Sequence, residues 1–410
     1  MDFVDLTSVN GYLERYIHAI SSNNLLVKHV ERDNSKVLVC YVIHALDDTL
    51  LFLELLDDIF LKDNLLLILK SSSYSYEIAQ KLMYSNYRVS DLSKDDFINK
   101  PQVVYEKLSG HCEKYGFDKI LILDHGGYFS YNLKTYLSLP IVGIVEYALN
   151  GKKKYCNMDE TTFNIPLYTI GESRLKEFSD YSCGVVIAEY IFSILDKLPV
   201  SSIQDQTTFT SKPQVGIIGY GRVSRGVAKS LSGNLMGNIL VYDIDPYKMI
   251  KAGYNHYDVS SLSIEALIQH TNIIVIGTDT APLNGMHYSL MNHNTMIITV
   301  TSADDSLALV DMVDNGYLKK ISNNKVFSSY LNLKGNVIHF ACNGESPNLA
   351  THMSPKDLSL ALPYIYQLLI GYGIVYNKNE FEHNLLENKL ISLYLDVCRD
   401  LILRNHAKAA

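Results

Sequence analysis

The stretch Val215-Gly216-Ile217-Ile218-Gly219-Tyr220-Gly221-Arg222-Val223-Ser224-Arg225-Gly226 decides the fold. A short apolar run ends at Gly219, and a helical pattern opens at Arg222. Strand, glycine turn and helix start, in that order, form the context in which G-x-G-x-x-G has a physical meaning. Gly219 permits the tight turn. Gly221 lets an anion approach the backbone with no Cβ in the way. The helix that follows points its unpaired first-turn N–H groups at the same place. The third motif position is Ser224, small enough for close helix–strand packing, where glycine or alanine is usual.

Working outward, the next strand, Asn238–Tyr242, runs into Asp243-Ile244-Asp245-Pro246. Asp243 lies 22 residues after Gly221, where a carboxylate accepts hydrogen bonds from a ribose diol and repels a 2′-phosphate. The segment therefore predicts NAD rather than NADP, held at Gly219, Gly221, Arg222, Val223 and Asp243. Further strands are expected at Asn272–Ile276, Thr295–Val300 and Ile338–Ala341, which makes 214–344 a Rossmann domain. The polar stretch 200–213 ends in Pro213 and reads as a linker. Before it, apolar runs at Val37–Val42, Leu65–Leu69, Lys119–Leu123 and Ile141–Val145 alternate with helical patterns at Thr49–Phe60, Tyr76–Met83 and 172–197. Such runs predict a parallel sheet covered on both faces. After Pro355 the pattern is helical, with Leu358–Ile370 strongly apolar. The expected class is α/β, with two doubly wound parallel-sheet domains, 1–199 and 214–344, and a cleft between them. A helical segment, 345–410, is expected to pack back on the first domain.

Composition narrows the function classes. With 47% hydrophobic and 20% charged residues, 410 residues can bury ordinary cores. The net charge of −8 argues against nucleic acid, whose binders neutralise phosphates with a basic stripe. The densest basic run is only Lys152-Lys153-Lys154. None of the six cysteines forms a C-x-x-C pair, so no metal site is expected, and their scatter suits a reducing compartment. No apolar run approaches the roughly 20 residues of a membrane span, and no basic-then-apolar leader precedes the first domain. A cytoplasmic protein with a small-molecule substrate, and no nucleic-acid or membrane partner, is expected.

Ligands in parallel sheets gather at the carboxyl ends of strands. In the first half those ends carry His44, Asp124-His125 before Gly126-Gly127, and Glu146. An acid beside a histidine can form a proton-transfer pair. Against this, His44 can be a structural histidine, Asp124 can cap a turn, and Cys183 on its helix can be core.

These segments together resemble the S-adenosylhomocysteine hydrolases. The glycine loop and the acid-Ile-Asp-Pro strand end are similar to that family's cofactor domain. Asn343-Gly344-Glu345-Ser346-Pro347-Asn348-Leu349 is similar to its E-G-R-x-x-N-L motif. Val39-Cys40-Tyr41-Val42-Ile43-His44 resembles the strand end with an active-site histidine. Ile122-Leu123-Asp124-His125-Gly126-Gly127 resembles its Asp-Asp-Gly-Gly motif, and Gly143-Ile144-Val145-Glu146 its Gly-Ile-Ser-Glu-Glu motif. Tyr181-Ser182-Cys183 resembles its Tyr-Gly-Cys. The motifs keep the family's order from about residue 35 to 370.

The resemblance implies that bound NAD oxidises a ribose 3′-hydroxyl, that Asn348 bonds the nicotinamide carboxamide, and that Thr278 lines the cofactor's edge. It implies a homo-oligomer, although the tail Arg404-Asn405-His406-Ala407-Lys408-Ala409-Ala410 lacks the family's cofactor-reaching residues. His44, Asp124, His125, Glu146 and Cys183 become the catalytic candidates. Several family positions are changed. The second Asp is His125 and the second Glu is Tyr147. Counted back from Cys183, the family lysine falls on Arg174 and its aspartate on Phe178, whereas a shifted register offers Lys176 and Asp180. The family's cofactor-domain histidine falls near Ser302. Arginine stays protonated and cannot transfer a proton as lysine does. These changes argue against hydrolysis of S-adenosylhomocysteine itself. They favour redox chemistry on a secondary hydroxyl of a nucleoside or similar small polyol. The alternative is a non-catalytic NAD-binding relative, a sensor or scaffold. A D-2-hydroxy-acid dehydrogenase would need an Arg-Gly turn where Thr301-Ser302-Ala303-Asp304 stands.

Overall fold

A computed structural model of the chain describes residues 6–23, 36–46, 60, 62–70, 75–158, 165–195, 214–233, 238–260, 263–278, 280–301, 308–324, 326–351, 358–376 and 383–409. The helix expected from residue 49, the linker 200–213, Ser302 and Pro355 lie outside the described residues. The chain divides into two compact units, Met1–Ser179 with Lys356–Ala410, and Asp180–Pro355. The first division falls inside the helix Arg174–Leu195, earlier than the boundary drawn at 199. Burial explains the difference. Leu175 belongs to a core of the first unit, whereas Ile187, Tyr190, Ile191 and Ile194 belong to a core of the second. The return to the first unit likewise comes at Lys356 rather than 345.

The first unit holds β1 (Val37–Ile43), β2 (Leu65–Leu69), β3 (Arg88–Ser90), β4 (Lys119–Asp124), β5 (Ile141–Glu146) and β6 (Leu167–Thr169). They form a parallel sheet in the order β3-β2-β1-β4-β5-β6. The edge strands β3 and β6, three residues each, are too short to show a pattern in sequence. Alternation sorts β1 between two cores. Val37, Val39, Tyr41 and Ile43 face one, and Leu38, Cys40 and Val42 face the other. The helix Ala361–Val375 is buried on nearly all sides and packs on β4 and β5. Its one buried amide, Gln367, donates to the carbonyls of Asp124 (3.0 Å) and Val145 (2.8 Å). It thereby ties two strand ends together.

The second unit holds β7 (Val215–Ile218), β8 (Ile239–Tyr242), β9 (Ile273–Ile276), β10 (Thr295–Thr299), β11 (Leu318–Asn323), β12 (Phe327–Asn332) and β13 (Val337–Ala341). Their order is β11-β12-β13-β10-β9-β7-β8. The expectation of an all-parallel sheet needs correction, because β11 and β12 pair antiparallel and β12 runs antiparallel to β13. All but the first residue of β11 is exposed, so it carries no buried run to read. A cross-strand bond from Ser329 Oγ to His339 Nδ1 (2.9 Å) holds the β12–β13 register.

The helix Arg174–Leu195 is long and apolar enough, by length and composition alone, to cross a membrane, which the expectation from uninterrupted apolar runs missed. Half of its apolar window is buried. A Cβ on Gly184 would fall 2.1 Å from the Val223 carbonyl oxygen, and one on Gly226 would fall 2.1 Å from that of Tyr181. Two glycines thus let this helix cross the helix Arg222–Gly233 in direct contact, as a core helix does.

Candidate functional site

In the second unit the glycine turn takes the form that the sequence predicts. Gly219 has φ +90°, and a Cβ there would lie 2.8 Å from the Gly277 backbone. Only glycine fits that position. Gly221 differs, since a Cβ there would meet nothing nearer than the Gly277 oxygen at 3.8 Å. Its neighbours therefore do not require glycine. An open approach to the backbone at the start of the helix Arg222–Gly233 is what a pyrophosphate requires. Ser224 packs on Gly277, where a Cβ would come 1.9 Å from its Oγ. Glycine at 277 thus compensates for serine at the third motif position.

The Asp243 side chain is 4% exposed. Its Oδ2 accepts from Tyr220 N (2.7 Å) and Lys248 Nζ (3.3 Å), and its Oδ1 from Asp245 N (2.9 Å). A carboxylate has about four acceptor positions, which leaves one for a ribose hydroxyl. The acid therefore also holds the glycine turn in shape, a role its position in the sequence does not disclose. Asn348 Oδ1 accepts from Ser346 Oγ (2.6 Å), which leaves the amide N–H₂ as donor. Thr278 Oγ1 bonds the Thr280 carbonyl (2.7 Å). Arg222 lies 3.7 Å from Asp180, so its charge is directed at the neighbouring helix. Val223 is half-buried, with its carbonyl against Gly184.

In the first unit the sheet order sets the ends of β2, β1, β4 and β5 side by side, bringing together Lys70, His44, Asp124-His125 and Glu146-Tyr147. Asp124 and Glu146 are fully buried. Asp124 Oδ1 accepts from the N–H groups of His125 (2.7 Å) and Tyr128 (3.2 Å), and Oδ2 from Phe129 N (3.1 Å) and Tyr155 Oη (2.5 Å). Glu146 Oε1 accepts from Gly126 N (2.9 Å) and Ala148 N (2.6 Å), and Oε2 from Gly127 N (3.0 Å). Both carboxylates are thus spent on shaping the turn 125–129. The turn's carbonyls are held as well, His125 O by Lys70 Nζ (3.1 Å) and Gly126 O by Lys154 Nζ (2.9 Å).

This frame presents the His125 ring. It meets His44 edge-on with centroids 4.5 Å apart, and lies 4.3 Å from Tyr147, which stacks on Tyr364 at 4.4 Å. Lys176 Nζ lies 4.9 Å from the Tyr147 centroid. Burial, Lys70 and Lys176 hold both imidazoles well below the ordinary histidine range, so both are neutral at pH 7. His125 Nδ1 is buried and finds no hydrogen-bond partner among the described residues. Burial raises Asp124, and burial together with the Asp124 charge pushes Glu146 up to about 8. Burial brings Lys70 down to about 8, against the pull of Glu146 and Asp124.

Of the catalytic candidates, His44, Asp124, His125 and Glu146 come together, and Cys183 lies in the other unit beside Gly184. Arg174 pairs with Glu387 (3.4 Å) and Asn388 (2.6 Å) on the C-terminal helix, so Lys176, from the shifted register, is the cation at the histidines. Phe178 lies edge-on to Tyr394, and Asp180 pairs with Arg222. Sequence reasoning missed Lys70, Lys154, Tyr155 and Gln367. Lys70 alone carried a signal, as the first residue after the strand Leu65–Leu69.

Comparison with known proteins adds to this geometry. Residues 193–353 match the family described as S-adenosyl-L-homocysteine hydrolase, NAD binding domain. The dinucleotide of the second unit is therefore NAD. No curated protein matches the chain. Among solved structures, the chain is similar to a dipicolinate synthase from Bacillus halodurans, at 13% identity and TM-score 0.39, over 82% of this chain and 98% of that one. It is also similar to a putative D-3-phosphoglycerate dehydrogenase oxidoreductase from Ralstonia solanacearum, at 10% identity and TM-score 0.42, over 86% and 95%.

Proposed function

We propose that this chain, which carries the NAD-binding domain of the S-adenosylhomocysteine hydrolase family, performs redox chemistry on a secondary hydroxyl of a nucleoside or similar small polyol. The observation behind the reading is the imidazole pair at the ends of β1 and β4, with His125 Nδ1 buried and without a partner among the described residues. When bound, NAD supplies a two-electron acceptor or donor for the carbinol carbon. Gly219, Gly221 and the helix start at Arg222 would hold its pyrophosphate, and Asp243 a ribose. His125 accepts the hydroxyl proton, in the neutral form a general base needs. Asp124 and Glu146 are positioning residues, because their oxygens are already bonded to the turn. The proton therefore goes to histidine rather than carboxylate, and hydrolysis of S-adenosylhomocysteine is not part of this reading.

One observation favours a second reading, a non-catalytic NAD binder. Tyr147 is 3% exposed and stacks between His125 and Tyr364, occupying space beside the imidazole. The two readings separate when adenosine, S-adenosylhomocysteine, ribose and inositol are added to NAD-loaded protein and NADH absorbance is followed. Redox chemistry predicts NADH with at least one of them, and a loss of about 10²–10⁴-fold in rate in His125→Gln. NAD that binds and stays oxidised with all four would support the second reading.

A further inference from the structure

The chemistry left available at the strand ends of the first unit is cationic. Asp124 and Glu146 are buried and capped by N–H and O–H donors of residues 126–129, 148 and 155 and of His125 itself. A Cβ on Gly151 would fall 2.3 Å from the Glu146 carboxyl carbon, so that carboxylate is closed in by the next helix as well. What remains beside the two imidazoles is two ammonium groups. Lys70 follows β2 and is partly buried, and its bond to the His125 carbonyl uses one of its three N–H groups. Lys176 reaches the ring that stacks on His125. Removing an ammonium from water is costly unless an opposite charge or several acceptors replace the water. A bound anion would supply that replacement, and His125 Nδ1, carrying its proton, would give a further donor.

We propose that the substrate of this site carries an oxyanion, a carboxylate or a phosphate ester, bound by Lys70 and Lys176 beside the His44–His125 pair. The inference rests on the redox reading for its substrate but not for its test. A neutral nucleoside would leave the second and third N–H groups of Lys70 to water, whereas an oxyanion pairs with them.

The test is equilibrium binding by calorimetry on the full chain with saturating NAD, which blocks anions from the pyrophosphate turn. The probes are ribose, ribonate and ribose 5-phosphate. At least one charged probe should bind about tenfold or more tighter than ribose, the worth of a charge-assisted hydrogen bond. Which of the two does so identifies carboxylate or phosphate as the source. Lys70→Met and Lys176→Gln should each remove most of that preference. NAD affinity, measured in parallel, should not move and reports that each variant is folded. Equal binding of the three probes, no binding of any, or a preference that survives in folded Lys176→Gln would overturn the proposal. Absence of NADH formation with every probe would count against the redox reading alone, since binding is read without turnover.

Discussion

Two glycine turns follow parallel strands in this chain, and they do opposite things. After β7, Gly219-Tyr220-Gly221 leaves open space over Gly221. After β4, Gly126-Gly127 is filled by the protein itself, since its N–H groups go to Glu146 and its flanking carbonyls to Lys70 and Lys154. A Cβ on Gly127 would meet Ser130, Lys154 and Gly151 at 3.0–3.2 Å. One turn keeps its donors for an external anion. The other has an internal anion, Glu146, in the equivalent place. A strand-end glycine pair therefore marks a place where backbone N–H groups converge, and the nearest carboxylate determines whether a ligand or the protein occupies it.

Substitutions can break or sharpen this contrast. Gly221→Leu should weaken NAD by about hundredfold or more, with an unchanged melting midpoint, because the new side chain fills only the ligand's space. Gly127→Val should do the reverse, lowering the melting midpoint and leaving NAD affinity alone. A thermally destabilised Gly221→Leu would refute the open-turn assignment. Glu146→Ala strips three buried N–H groups of their acceptor and should cost about 3 kcal/mol or more in denaturant unfolding, with NAD affinity unchanged. A cost near zero would mean that water replaces the carboxylate.

Acid titration gives a smaller effect. The folded-state pKa of His125 lies below its unfolded value. As pH falls below about 6.5, the unfolded chain takes up a proton that the folded chain refuses, and stability declines. His125→Gln should reduce that decline by at most about 1.4 kcal/mol per pH unit. A slope equal to that of the parent chain would mean that the imidazole is protonated in the fold. The smallest effect belongs to Ser224→Ala, which removes a buried hydroxyl with no hydrogen-bond partner among the described residues. It should change stability by less than about 1 kcal/mol and leave NAD binding intact.

Central parallel strands were legible because they are continuous apolar runs. Leu65–Leu69 and Val215–Ile218 agree with the structure to the residue. The hairpin β11–β12 was not, because Lys319, Lys320 and Ser322 face solvent and leave no hydrophobic period. Neither was the unit boundary inside Arg174–Leu195, since one continuous helix serves two cores. At the strand ends, residue type and position were legible and hydrogen-bond use was not. Asp124 and Glu146 read as acids at ligand-facing ends, and only the folded chain places seven donors on their oxygens. Lys176 became distinguishable from Arg174 only when Glu387, more than two hundred residues away in sequence, was found holding the arginine.

Everything proposed for the second unit requires NAD to lie over Gly221 with a ribose at Asp243. Calorimetric titration of the purified chain with NAD and with NADP, repeated on Asp243→Asn, tests this directly. NAD should bind about tenfold or more tighter than NADP, and the substitution should erase most of that difference. Equal affinity for the two cofactors in the parent chain, or a preference for NAD that persists in Asp243→Asn, would contradict it.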